Sequence, residues 1–251
     1  MNTITVKNVT FGEGRPKICA SIVGEDVANI QEEAELIKKA APDLVEWRMD
    51  FFDDVEDLAK VKVALQKIRV ILDKKPLVVT FRSKTEGGER ELPFGFYFAL
   101  NQELIATGMP DFVDLELFSD EKGLLETIHI AHKRNVRVII SNHDFAKTPT
   151  QEELVKRLRK MESLGADITK IAVMPNSPQD VLVLLTATNE MKEQYATRPF
   201  ITMSMNKMGV ISRMTGQLFG SSVTFGSVKA ASAPGQVSVS ELKKMLSFFA
   251  E

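Results

Sequence analysis

The chain has 251 residues, of which 44% are apolar and 26% charged, the balance of a globular protein with room for one large core. A net charge of −2 supplies no general attraction for nucleic acid or for a membrane surface, and no apolar run approaches the length of a membrane span. The first residues lack the basic and apolar regions of a signal peptide, so a cytoplasmic protein is expected, and the single cysteine, Cys19, reads as a small buried residue in the apolar run Lys17 to Ile22.

A short strand over Thr3 to Thr10 leads into a turn at Gly12, Glu13 and Gly14, and strand-like and helix-like patterns then alternate to the end. Eight strands are expected: Lys17 to Ile22, Leu44 to Asp50, Leu77 to Ser83, Phe112 to Leu117, Val136 to His143, Asp167 to Met174, Phe200 to Met205 and Ser222 to Gly226. Helical spacing appears in Val27, Ile30, Ala34 and Ile37, in Leu58, Val61, Leu65 and Ile68, in Leu154, Leu158, Met161 and Leu164, and in Leu242, Met245, Leu246 and Phe249. Thr150 with Glu153 has the spacing of a capping box, Ser177-Pro178 reads as a helix start, and Gly165 as a helix stop. With no linker or low-complexity tract, the pattern predicts one domain over residues 1–251, a (β/α)₈ barrel of the α/β class, with an open doubly wound sheet as the alternative.

Side chains alternate faces along a strand, and this sorting assembles a site. Glu46, Arg48 and Asp50 fall opposite Val45, Trp47 and Met49; Thr80 and Arg82 opposite Val79 and Phe81; Asp114 and Glu116 opposite Val113 and Leu115; Ser141 and His143 opposite Ile140 and Asn142; and Lys170 opposite Thr169 and Ile171. If the apolar faces meet the helices, five strands direct ionisable groups into a common interior, mostly at their C-terminal ends, where a barrel gathers its catalytic residues.

Lys170 is central to this set. Burial disfavours an ammonium and favours a neutral amine nucleophile, the requirement for imine chemistry, and nearby cations such as Arg213 would act in the same direction; the plainer alternative is a lysine reaching from a strand end to a surface carboxylate. His143, one strand away, could take and return a proton, and Glu86, carried on the loop with Gly87 and Gly88, could orient it. Arg48, Arg82 and Arg213 suit an acidic substrate, or an internal salt-bridge network with Glu46. The segment from Phe225 to Gln236, with Ser232 and Gln236 flanking Pro234-Gly235, reads as a loop able to close on a ligand. His129 and His132 share a helix face, but no carboxylate or cysteine follows at a ligand spacing, so no metal site is expected; nor is there a cofactor motif.

Taken together, Glu46-Trp47-Arg48, Thr80-Phe81-Arg82-Ser83 with Glu86-Gly87-Gly88, Ser141-Asn142-His143-Asp144-Phe145, Lys170-Ile171-Ala172, Ile201-Thr202-Met203-Ser204-Met205, Ile211-Ser212-Arg213 and Ala233-Pro234-Gly235-Gln236 resemble the type I 3-dehydroquinate dehydratases. The resemblance implies a cytoplasmic, homodimeric (β/α)₈ lyase with an N-terminal β-hairpin closing one end of the barrel. Its substrate would be 3-dehydroquinate, dehydrated by syn elimination through a lysine Schiff base without cofactor or metal. It implies Lys170, His143 and Glu86 as catalytic residues, and Ser21, Glu46, Arg48, Arg82, Met203, Met205, Arg213, Phe225, Ser232 and Gln236 around the substrate. Two competing expectations are another lysine-imine barrel of the aldolase type and a non-catalytic sensor of a quinate-like acid.

Overall fold

The computed structural model describes residues 1–229 and 232–249. The expected N-terminal strand is divided at Lys7, whose left-handed backbone (φ 54) turns the chain, giving β1 (Ile4–Val6) antiparallel to β2 (Val9–Phe11). This hairpin covers one end of the barrel. Phe11 is fully buried there, edge-on to Phe112 at 5.4 Å, and joins Cys19, Leu44, Val78, Ile139, Ile168, Ile201 and Val223 in an apolar cluster.

The eight barrel strands are β3 (Lys17–Ile22), β4 (Leu44–Arg48), β5 (Leu77–Thr80), β6 (Phe112–Glu116), β7 (Arg137–Asp144), β8 (Ile168–Val173), β9 (Phe200–Ser204) and β10 (Val223–Ser227). From β3 to β9 each pairs in parallel with the next, and β10 pairs back onto β3, while a short β11 (Val237–Ser238) adds to β10. The ring is completed between β9 and β10 by a bridge from Phe200 to Ser221 and by the Ser222 amide donating to the Phe200 carbonyl at 2.8 Å. The chain is thus a (β/α)₈ barrel, and the open-sheet alternative is set aside.

Parity works as expected. Val45, Trp47, Val79, Phe81, Val113, Leu115, Ile140, Ile171 and Val173 join the helices in one outer core, because the period of two sends them all to the same side of the wall. The helices are α1 (Val27–Ala40), α2 (Leu58–Leu72), α3 (Phe94–Ala106), α4 (Glu121–Lys133), α5 (Gln151–Ser163), α6 (Pro178–Glu190), the short α7 (Val210–Met214) and α8 (Gly216–Phe219), and α9 (Val239–Ser247). Their starts are chemically marked: Asp26, Asp57, Asp120 and Thr150 each accept an orphan amide of the first turn, and Ser177 and Ser238 form reciprocal capping boxes. Thr150 lacks the return bond from Glu153, whose carboxylate turns instead to Arg157 at 2.8 Å.

The structure departs from expectation where apolar content hides the period. Helix α3 has apolar or aromatic residues around much of its circumference, so it shows no clean stripe. The strands expected to reach Asp50 and Ser83 stop at Arg48 and Thr80, and the chain turns inward through 3₁₀ turns at Met49–Phe51 and Lys84–Glu86. Between β9 and β10, where the spacing marks no helix, the chain forms the two short helices α7 and α8.

Candidate active site

The C-terminal mouth of the barrel opens into a small pocket that combines an apolar wall with convergent charged groups. Glu46, Arg48, Arg82, Glu86, His143, Lys170, Met203, Met205, Phe225, Ser232 and Gln236 all line it. Ser21 and Arg213 stand one side chain behind: Ser21 donates to Glu46 at 2.7 Å, and Arg213 reaches the Met203 sulfur at 3.7 Å.

Strand register explains how the central pair meets. On β7 and β8, Ser141 lies beside Lys170 and His143 beside Ala172, so all four share the inner face. Lys170 is 4% exposed. Its Nζ donates to Asp114 Oδ2 at 3.0 Å and to Glu46 Oε1 at 3.4 Å, and stands 4.7 Å from the centre of the Phe225 ring. The nearest charged partners of the amine are therefore carboxylates, not the cations placed beside it by sequence reasoning, and the surface-reaching alternative is excluded.

Glu86 is brought inward by its loop. Ser83 caps the 3₁₀ turn by accepting the Glu86 amide, and Gly87 follows in a left-handed conformation (φ 84) that a side chain would strain. Glu86 Oε2 then accepts both the His143 amide (2.8 Å) and His143 Nδ1 (3.0 Å), while Oε1 accepts Asn142 Nδ2 at 3.0 Å. Burial pushes the Glu86 carboxyl up to about 8, reinforced by neighbouring Glu116 and opposed by Arg82 and by the donors from Asn142 and His143. His143 is held well below the usual histidine range, first by burial and then by the charges of Arg82 and Lys170. The result is a neutral imidazole; when Glu86 is ionised, the oxygen that accepts the His143 amide also takes the Nδ1–H and leaves Nε2 as the basic atom.

The arginines divide by partner. Arg48 donates from Nε and Nη2 to the two oxygens of Asp50, each at 2.7 Å. Arg82 serves Asp114 (2.7 Å), Glu116 (2.8 Å) and Ser141 (3.0 Å). These two are held in an internal network, but its acids are Asp50, Asp114 and Glu116 and not the expected Glu46, which faces Lys170 instead. Arg213 differs: it is 1% exposed and has no carboxylate partner among the described residues, and burial draws its guanidinium down to about 10. Its Nη2 donates to the Pro234 carbonyl at 3.2 Å and Nε has no partner, which makes it a cation suited to an incoming anion.

The segment after β10 lies across the mouth. Arg48 Nη1 donates to the Ser232 carbonyl (3.1 Å), Ser232 Oγ to Ser21 Oγ (3.0 Å), and Gln236 Nε2 to Ser232 Oγ (2.9 Å). Ala230 and Ala231, within the expected closing loop, are outside the described residues. His132 is remote from the pocket and joins Asp167 at 2.9 Å, beside Arg137, at the opposite end of the barrel.

Sequence reasoning assigned no role to Asp114, Asp50, Asn142 or Phe145. For Asp114 the signal was present in its inward parity; for Asn142 it was not, since its strand position faces outward and its partners, Glu86 on the folded-back loop and Arg157 on α5, are set by tertiary packing.

A family model described as type I 3-dehydroquinase matches residues 18–251. The 3-dehydroquinate dehydratase of Listeria innocua is 58% identical over 98% of this chain and 97% of its own length, and that of Clostridium novyi 54% over the same shares. Among solved structures, the type I 3-dehydroquinate dehydratase of Clostridium difficile, with covalently modified comenic acid, superposes with a TM-score of 0.95 at 52% identity over 99% of this chain and 97% of that one. The Enterococcus faecalis enzyme gives 0.93 at 46%, covering 99% and 100%.

Proposed function

The chain belongs to the type I 3-dehydroquinase family, and from that premise we propose how this pocket dehydrates 3-dehydroquinate to 3-dehydroshikimate in the shikimate pathway. The observation that carries the scheme is the buried amine of Lys170 one strand from a neutral His143 whose Nδ1 is anchored on Glu86.

The substrate carboxylate pairs with Arg213, whose cation lacks an internal carboxylate partner among the described residues, while Met203, Met205 and Phe225 wall the ring and Glu46, Arg48, Arg82, Ser21, Ser232 and Gln236 form its polar surround. Lys170, as the free amine, attacks the C3 ketone; with one added proton the carbinolamine loses water and leaves a protonated imine, C=N–H⁺. His143 Nε2 removes a proton from C2, and the C–H electrons flow toward nitrogen as an enamine. The imidazolium then returns its proton to the C1 hydroxyl, which departs as water while the imine reforms. A single base on one face serves both steps, consistent with syn elimination. Hydrolysis of the imine frees the product and restores the amine.

The same reading makes the enzyme a cytoplasmic homodimer; among the described residues no helix is long and apolar enough to cross a membrane. Light scattering on purified protein reads the mass of the assembly. Borohydride reduction in the presence of 3-dehydroquinate, followed by intact mass measurement, tests the imine. The wild type gains a ligand-derived adduct, Lys170→Ala gains none, and His143→Ala forms it while turning over very slowly. An unmodified wild type, or equal labelling of Lys170→Ala, overturns the mechanism.

A further inference from the structure

Asp114 touches the reacting nitrogen, yet the scheme above gives it no task. It is fully buried on β6, with Oδ2 3.0 Å from Lys170 Nζ and Oδ1 held by Arg82 Nη2 at 2.7 Å and Ser141 Oγ at 2.6 Å. Two donors on one oxygen leave the other aimed at the amine, and the side chain has no freedom to turn away. Glu46, the second carboxylate at Nζ, is farther at 3.4 Å, and its Oε1 also accepts Thr80 Oγ1 at 3.0 Å.

We propose that Asp114 is a catalytic residue, the fixed counter-ion that accepts the single N–H of the protonated imine at Lys170; the proposal rests on the imine reading above. A lysine amine has two or three hydrogens to distribute, but the imine nitrogen keeps only one. When the amine adds to the ketone, one N–H proton passes to the departing oxygen, an added proton completes water, and the remaining proton stays on nitrogen with the positive charge. That charge is the electron sink. If the N–H proton were lost, the neutral imine would no longer draw electrons from C2, and apolar walls such as Phe225 and Met203 favour that loss by disfavouring a lone cation. A fixed anion in hydrogen-bond contact opposes it.

The groups facing Asp114 keep it anionic. Arg82 from β5, Lys170 from β8 and His143 from β7 surround it, with Glu46 on β4 and Glu116 on its own strand as the neighbouring acids. Burial alone would raise its carboxyl, but Arg82 and Lys170 overcome this and hold it well below the usual range. Asp114 is therefore a poor proton acceptor, suited to stabilise the N–H bond without breaking it.

The test is the pH dependence of borohydride trapping and of kcat for the full-length enzyme with 3-dehydroquinate. Asp114→Asn keeps the shape and an acceptor toward Arg82 and Ser141 but turns an amide donor toward the imine nitrogen. Its alkaline loss of trapping and of kcat should move to lower pH by about one unit or more, with a much smaller change in KM. Glu116→Gln, which neutralises another partner of Arg82 without touching Nζ, should retain the wild-type alkaline limb. A folded Asp114→Asn protein with the wild-type limb overturns the proposal, as does an equal shift in Glu116→Gln. Should Asp114→Asn not fold, Ser141→Ala, which frees one anchor of Oδ1, should shift the limb in the same direction by less, and an unchanged limb there overturns the proposal. Absence of any wild-type adduct defeats the imine reading itself, a result distinct from these.

Discussion

His143 and Glu86 are joined twice: the same carboxylate oxygen accepts the His143 amide at 2.8 Å and its ring Nδ1 at 3.0 Å. The first bond fixes where the strand end lies relative to the Glu86 loop, and the second fixes the tautomer, so one acid sets both the position and the basic atom of the proton carrier. Holding a carboxylate in so buried a place opposes stability, which leads to the first prediction.

The Glu86 carboxyl is raised to about 8 by burial, with Glu116 adding to the effect, against roughly 4.3 in an unfolded chain. A raised carboxyl means the folded state binds the proton more tightly. Its contribution is fully present below about pH 4.3 and is lost as pH rises toward 8. Glu86→Gln should remove this loss. Thermal unfolding should place its midpoint higher relative to wild type at alkaline pH than at acidic pH, by roughly 3 °C or more, while kcat falls at both. Equal differences at the two pH values would contradict the direction assigned to Glu86.

Arg213 should separate binding from stability. A buried cation without a carboxylate partner is destabilising until a ligand anion arrives. Arg213→Met, of similar length and able to fill the same space, should unfold at an equal or higher denaturant concentration than wild type. Its KM should rise on the order of a hundredfold, as expected when a buried charge-assisted contact is removed. A variant that loses stability with KM unchanged would remove Arg213 from the substrate site.

Arg157, on α5, should influence catalysis without reaching the pocket. Its Nη1 donates to Asn142 Oδ1 at 2.8 Å, and because a guanidinium can only donate, the amide must present its NH₂ to Glu86, at 3.0 Å. Arg157→Met frees the amide to turn. The predicted outcome is a several-fold lower kcat with KM held, and an acidic limb of the rate profile moved to higher pH by about half a unit, the value of one hydrogen bond to a charged group shared among several. Arg157→Lys should restore part of both. A loss of melting temperature with an unaltered pH profile would mean Arg157 serves only the packing of α5.

Gly87 supplies a backbone test of the Glu86 loop. Its φ is 84, and an added Cβ would overlap the Phe145 ring. Gly87→Ala should therefore cost about 1–3 kcal/mol in urea unfolding and displace Glu86 enough to lower kcat more than it changes KM. Unchanged stability and rate would show that the loop absorbs the side chain freely.

The amino-acid order by itself determined the eight-strand alternation and the inner face of each strand, because pleating has a period of two and each wall needs one apolar side. It placed Lys170, His143, Arg82 and Glu46 in one interior, and motifs spread along the whole chain matched the family that the comparisons show. Lengths near strand ends were less legible: Met49 and Asp50, and Phe81 to Ser83, look like continuations of β4 and β5, but those strands stop at Arg48 and Thr80, where Asp50 turns in to hold Arg48 and the Arg82 amide. Only the tertiary structure decided the pairings. Which arginine keeps its charge for a ligand depends on which acids lie across the barrel, so Arg82 and Arg48 are satisfied within the protein while Arg213 has no acid in reach among the described residues. The environment of Lys170 was decided in the same way. Asp114 lies 56 residues away in sequence, but it stands two strands across the wall, where strand register brings its carboxylate within 3.0 Å of the amine.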